Sequence, residues 1–391
     1  MNYTSFGMTT LGEFFQDRVV YRKLIPADPR LPSLDTLRQK LGLSEQAQPR
    51  KAEPTYGRVV AAMLRHARAL DMPTTTIRRL IYIGDTKMND GTAFDNLCAA
   101  GEWPGWAFIG KEETNRPPQV QIEGQLHIVN RWSILPDFVR SVEKQEGTID
   151  ETTAVVIDMD KTAIGARGRN DHVINRARVE GVRRTVADLL GDDFDQEAFQ
   201  NAYDELNQAA YHPFTADNQD YLAYICLMLG AGLFTLQALS TKVQRGTLRH
   251  FADFIAQVHE RRAAFASTGL EAIHDQVWRC VQEGDPTPFK AFRYNEYLTT
   301  SACFGDLPGT PADRVISQRI VITQEVRATA LQLQKQGALV FGVSDKPDEA
   351  SLPNAEQAKA GMKALHHLPT LAIGSCAQEP RPFCQEGTTM L

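Results

Sequence analysis

The stretch Val155-Val156-Ile157-Asp158-Met159-Asp160-Lys161-Thr162 is an apolar run ending in two aspartates two residues apart, with a threonine two further on. It reads as a short strand leading into an acidic loop. In a parallel α/β sheet, ligands bind at the carboxyl ends of the strands, which is where these aspartates fall. Two such carboxylates can divide labour, one attacking as a nucleophile and the other serving as general acid and base. They repel each other unless a cation sits between them, which predicts Mg²⁺.

On either side the chain alternates strand and helix. Residues 56–70 carry Val59, Val60, Met63 and Leu64 at helical spacing, and residues 79–83 (RLIYI) form an apolar strand that ends in Gly84-Asp85. A helix over 93–100, a strand over 106–109 and a helix over 135–144 follow, which is the pattern of a parallel sheet. Beyond Asp160, residues 173–318 read as almost wholly helical, with 177–190, 196–209 and 248–266 the clearest amphipathic segments. Sheet character returns at 338–343 (ALVFGV), after a helix over 324–336. A helix over 355–366 and a short strand over 370–373 complete the pattern.

Two further strings follow strands. Gly337-Ala338-Leu339-Val340-Phe341-Gly342-Val343-Ser344-Asp345-Lys346-Pro347 ends a strand in a hydroxyl. A hydroxyl with adjacent backbone N–H groups can donate to a phosphate without carrying charge. Gly84-Asp85-Thr86-Lys87-Met88-Asn89-Asp90 ends the 79–83 strand in a carboxylate loop.

These strings resemble motifs of the haloacid dehalogenase (HAD) superfamily: the DxDxT strand, the strand-end Ser followed by Lys-Pro, and the acidic GDxxxxD loop. The resemblance implies a Rossmann-like α/β core with Asp158 as nucleophile and Asp160 as acid and base. Mg²⁺ would be held by Asp158, the Asp160 backbone carbonyl and Asp85. Asp90 is a second ligand or a partner that orients Asp85, and Asn89 could replace it. Ser344 would hold the phosphoryl oxygens, with Thr162, Asp345, Lys346 and Arg167 in the substrate set. Asp345 stands where the family usually has Asn. The family's remaining element is a basic residue. Lys51, in Lys51-Ala52-Glu53-Pro54 before a helix and the Gly84-Asp85 strand, fits its loose KPxP order, with Lys346 and Arg58 as rivals. An aspartate at position 160 favours hydrolysis over a stable phospho-enzyme. The implied activity is a Mg²⁺-dependent phosphatase acting on a small phosphorylated substrate. A phosphotransferase, or a silent binding or regulatory protein on the same core, is the alternative.

The motif order differs from the family's. Here the Lys and acidic motifs precede DxDxT and the Ser motif follows it, so the resemblance implies a circularly permuted core. Residues 51–162 and 320–375 form that core, and residues 163–319 form a large helical cap of the kind that selects substrate. Residues 1–50, broken by Pro26, Pro29, Pro32 and Pro49, read as an irregular arm with one helix over 33–41. Residues 376–391 read as a flexible tail.

Within the cap, Tyr211, His212 and Arg293, like Arg167, Arg169 and Asp171 just after the first motif, read as surface or hinge polarity or else as substrate-facing groups. His366 and His367 lack metal-ligand spacing and read as structural or exposed. Residues 221–241 carry no formal charge. Gly230 and Gly232 interrupt them, which favours buried helices over a membrane-contacting hairpin or span.

Composition agrees with a soluble enzyme. The 391 residues carry 42 Lys and Arg against 48 Asp and Glu, a net −6 that offers no general attraction to nucleic acid or anionic membrane. The six cysteines are scattered and form no CxxC, and no basic-then-apolar leader opens the chain, so reduced thiols in a cytoplasmic protein are expected. The spacing contains no GxxxxGK[ST], HExxH or GxSxG.

Overall fold

The structure is a computed structural model that describes residues 2–44, 48–266 and 268–375. The chain divides into two compact units. The first comprises residues up to Asn175, Cys303–Asp348 and the chain from Lys363. The second comprises Arg176–Ala302 and Glu349–Met362.

The first unit is mixed α/β. Its strands are β1 (Tyr3–Thr9), β2 (Val19–Val20), β3 (Arg79–Gly84), β4 (Gly105–Gly110), β5 (Val120–Glu123), β6 (Leu126–Val129), β7 (Thr153–Asp158), β8 (Ile322–Thr323), β9 (Leu339–Val343) and β10 (Thr370–Ser375). Seven of them form one sheet in the order β2-β9-β7-β3-β4-β6-β5, parallel except for the β5–β6 hairpin. Every residue of β4, β7 and β9 is buried, which is why these strands read as unbroken apolar runs. The remaining three form a small sheet, β1-β10-β8, with β1 antiparallel to β10.

The helix Pro54–Asp71 starts on a proline at its first turn and buries Tyr56, Val59, Val60, Met63 and Leu64 against the sheet core. Gly57 lets it approach the helix Thr92–Gly101 closely, since a Cβ there would lie 2.3 Å from the Asn96 carbonyl oxygen. Most expected elements appear within a few residues of their sequence-based bounds. Three differ.

The first fifty residues are not an irregular arm. Besides the expected helix, Leu34–Leu41 capped by Ser33, they supply β1 and β2. The strands escape notice because β2 is two residues long and β1 runs through exposed, mixed side chains. The helix expected over 355–366 is confined to Ala355–Lys359, with a 3₁₀ turn at Leu365–His367. Gly361, at φ +83°, ends the helical path between them. The strand expected over 370–373 belongs to the small sheet and not to the main one.

The second unit is helical. Its largest apolar cluster gathers Val182, Val186, Phe199, Tyr203, Phe214, Leu222, Tyr224, Phe251, Phe254 and Phe289. The uncharged 221–241 stretch becomes the end of one helix, Gln219–Gly230, and the start of another, Leu236–Gln244. The first is buried almost all round, which explains its lack of charge. No helix among the described residues is long and apolar enough to cross a membrane.

Arg169 and Arg293, read from sequence as surface or hinge polarity, are buried. Arg169 donates to Glu112 at 2.7 Å and to both oxygens of Glu325 at 2.9 Å. Arg293 donates to Asp220 at 2.8 Å and to Glu296 at 2.6 Å. Glu296 is three residues from Arg293 on one helix, but the other partners lie 57 to 156 residues away, where no local sequence marks them. The described cysteines, Cys98, Cys226, Cys280 and Cys303, are free thiols, while Cys376, Cys384 and the whole 376–391 tail lie outside the described residues.

Candidate active site

Strand register brings the three motifs together. Ile157 of β7 pairs with Ile83 of β3 on one side and Gly342 of β9 on the other, and Asp158 pairs with Val343. Asp158, Asp85 and Ser344 therefore leave neighbouring strands at the same sheet edge, the carboxyl end.

Past Asp158 the chain turns tightly. Ala163 N–H donates to the Asp158 carbonyl at 3.2 Å and Ile164 N–H to Met159 at 3.0 Å. Lys161 takes a left-handed conformation, φ +66°, which is uncommon for a residue with a Cβ. Asp160 is half-buried and Thr162 is fully buried. The Thr162 carbonyl accepts from Thr323 Oγ1 at 2.5 Å, tying the loop to the residue that opens the helix Gln324–Lys335. Its own hydroxyl is buried with no hydrogen-bond partner among the described residues.

The acidic loop folds back through a single π-turn, Lys87–Gly91, a form frequent at functional sites. This returns Asp90 to the start of its own loop. Its Oδ2 accepts from the backbone N–H of Asp85 and of Thr86, both at 3.0 Å, and from Thr86 Oγ1 at 3.1 Å. Its Oδ1 accepts from Tyr82 at 3.0 Å and from Lys51 at 2.7 Å. Gly84 makes this fold-back possible, because a Cβ there would come within 2.5 Å of the Asp90 Cβ. With five donors on its two oxygens, Asp90 has the contacts of an orienting group.

Lys51 bridges two carboxylates, its Nζ lying 2.5 Å from Asp158 Oδ1 and 2.7 Å from Asp90 Oδ1. Asn96 Nδ2 donates to the Lys51 carbonyl at 3.0 Å and so fixes the loop that carries it. Burial works against the lysine charge, but Asp158 and Asp90 outweigh it and hold its pKa well above the ordinary value. Of the rivals, Arg58 donates to the Leu41 carbonyl at 2.6 Å. Lys346 is buried, and its backbone N–H donates to Ser344 Oγ at 3.0 Å. Asp345 is half-buried and adds negative potential at Lys51.

Arg167 reaches Asp85 Oδ2. Its loop packs against Glu112, whose N–H donates to the Arg167 carbonyl at 2.9 Å. Gly168, at φ +77°, permits that approach, since a Cβ would lie 2.2 Å from the Glu112 carbonyl oxygen.

Asp85, Asp90 and Asp158 are all buried, and each offers an oxygen within 4.8 Å of the others, so the cluster could hold a metal ion. Burial pushes Asp158 well above the usual carboxylate range, with Asp90 and Asp85 adding to the rise and Lys51 opposing it. Burial, then the Asp90 charge, pushes Asp85 up to about 7 against the pull of Arg167. Lys51 and the hydrogen bonds overcome burial at Asp90 and hold it below the usual range. Three buried carboxylates thus face two cations, Lys51 and Arg167. An all-carboxylate donor set suits a hard, oxygen-seeking ion.

Sequence reasoning missed Tyr82 and Asn96, and nothing but their places beside Gly84 and on the helix facing Lys51 could have marked them. Of the residues named from sequence in the helical segment, Tyr211 pairs with Glu205 and half-buried His212 lies 3.6 Å from Asp217. Compared with known proteins, the chain matches no family model, and no curated protein or solved structure is similar to it.

Proposed function

We propose that this chain is a Mg²⁺-dependent phosphatase with a circularly permuted HAD-type core, acting on a small phosphorylated substrate through an aspartyl-phosphate. The observation that carries the reading is the buried Lys51–Asp158 pair at the carboxyl end of the central strand, with Asp85 and Ser344 on the neighbouring strands.

The donor set fits the metal. Asp158, Asp85 and the Asp160 backbone carbonyl would hold Mg²⁺, with Asp90 orienting the loop. Mg²⁺, when bound, would supply positive charge that favours the ionised Asp158 carboxylate and offsets charge on the phosphoryl oxygens. Asp158 attacks phosphorus. Asp160, next along the loop and half-buried, gives its proton to the leaving oxygen, then takes one from the water that releases phosphate. Lys51 holds the Asp158 carboxylate in one orientation and neutralises charge as the phosphoryl group transfers. Ser344 Oγ and the adjoining N–H groups donate to the equatorial oxygens, and Lys346, Arg167, Asp345 and Thr162 complete the substrate set. The helical segment between β7 and β9 is assigned the role of substrate-selecting cap. A cytoplasmic location and no nucleic-acid or membrane partner accompany this reading.

The test is hydrolysis of p-nitrophenyl phosphate by the full chain with and without Mg²⁺. Expected are Mg²⁺-dependent turnover in the wild type and loss of turnover in Asp158→Asn with an unchanged circular dichroism spectrum. Turnover that survives this substitution removes Asp158 as nucleophile. Absence of turnover, together with no binding of beryllium fluoride, removes the enzyme reading.

A further inference from the structure

Away from the Asp158 cluster, three residues converge that no sequence spacing joins. Asp17 precedes β2, and His366 and His367 lie in the 3₁₀ turn before β10. Asp17 Oδ1 lies 2.8 Å from His367 Nε2 and 3.3 Å from His366 Nε2. All three ligand atoms fall within 4.8 Å of one another. The tight turn brings the two consecutive rings to a centroid separation of 4.1 Å, so both Nε2 atoms address one carboxylate oxygen.

The outer shell is ordered. His366 is buried, and its Nδ1 lies 3.1 Å from the Tyr21 hydroxyl. A hydroxyl at Nδ1 can fix a ring's tautomer and aim its Nε2, as partners of metal-bound histidines do. Gly12 leaves room for the other ring, since a Cβ there would lie 3.0 Å from His367 Nδ1. Ligands bonded to one ion at about 2.0–2.2 Å sit about 3 Å apart, so the observed nitrogen–oxygen separations need little adjustment to accept one.

We propose that Asp17, His366 and His367 form a binding site for a first-row divalent transition ion, clipping the start of β2 to the turn before β10. Two imidazoles and one carboxylate favour such an ion over Mg²⁺, whose ligands are oxygens. The site is distinct from the Asp158 cluster. β2 is separated from β7 by β9, which at about 4.8 Å per strand places the two about 10 Å or more apart. The ion's effect is on stability, because it joins segments 350 and 349 residues apart in the chain.

The experiment is a zinc titration of the chelator-stripped full chain in a Mg²⁺-containing buffer, read by calorimetry and by thermal unfolding. The wild type is expected to bind zinc and unfold at higher temperature with it. His367→Gln and Asp17→Asn alter exposed side chains, and circular dichroism checks their fold. Each is expected to weaken that binding at least about tenfold and to lose the thermal shift. A wild type that zinc does not stabilise, or variants that bind it with wild-type affinity, overturns the proposal and leaves a hydrogen-bonded cluster only.

Discussion

Lys51 Nζ lies 2.5 Å from Asp158 Oδ1, joining a loop before the first long helix to the end of a strand 107 residues later. Both side chains are buried; Asp158 and Asp90 hold the Lys51 charge, and Lys51 opposes the rise that burial and Asp90 impose on Asp158. This pair closes the sheet edge on which the proposed chemistry depends.

Replacing Lys51 by Met removes the ammonium that lies between Asp158 and Asp90. Turnover of p-nitrophenyl phosphate at saturating Mg²⁺ is expected to fall by about a hundredfold or more, the size of losing one preorganised electrostatic group. Lys51→Arg is expected to recover little, because the planar fork is larger and the site is closed. Steady-state kcat on variants of verified fold checks this, and a near-normal Lys51→Met contradicts it.

Asp85 and Asp90 are expected to differ. Asp85→Asn removes a proposed ligand, so Mg²⁺ should no longer raise the melting temperature. Asp90→Asn breaks the Lys51 pair and the loop's hydrogen bonds, with a stability cost of about 3–5 kcal/mol even without Mg²⁺. Thermal melts with and without Mg²⁺, and urea unfolding in its absence, separate the two. Equal behaviour of the two variants would contradict the separate roles.

Arg169→Met should destabilise the first unit by about 3–5 kcal/mol, because Glu325 is left buried without its cation and Glu112 keeps only Arg131, at 3.6 Å. Since Arg169 anchors the turn that carries Arg167 to Asp85, kcat/KM is expected to fall as well. Urea midpoints and kinetics below the unfolding transition test both effects.

Acid sensitivity of the helical unit is expected to trace in part to His274. Burial, helped by the His259 charge, pushes its pKa down to about 4, and its ring contacts the Tyr224 hydroxyl at 2.6 Å and His259 at 3.0 Å. The unfolded chain takes up this proton near pH 6.5 and the folded chain only near the lowered value. The stability from the neutral ring is therefore full above about pH 6.5 and is lost as pH falls toward about 4. Urea midpoints of the wild type and His274→Leu, compared across that window, should show the smaller decline in the variant. Identical declines would remove His274 as the cause.

Much of the sheet and the placement of its acidic strand ends was legible locally. Asp158, Asp85 and Ser344 each end an apolar run, and burial of a parallel strand on both faces makes such runs recognisable. The strand β2 was not, because two residues carry no periodicity and take their place in the sheet only by pairing with β9, hundreds of residues on. Lys51 could be placed before a helix, but not chosen over Arg58 or Lys346. The choice came from where each side chain ends: Lys51 on two carboxylates and Arg58 on a backbone carbonyl.

Read alone, the amino-acid order was enough for an α/β sheet interrupted by a long helical segment, and for acidic strand ends suited to a cation. Those features arise from residues adjacent in the chain, whose periodicity and turn chemistry act locally. The tertiary structure alone decided that Asp90 turns back to hold Lys51 and Tyr82, that Arg169 is a buried anchor, and that Asp17 meets His366 and His367. Each of these joins backbone paths through register, a π-turn or a left-handed turn, and such contacts depend on how whole elements pack rather than on any spacing between neighbours.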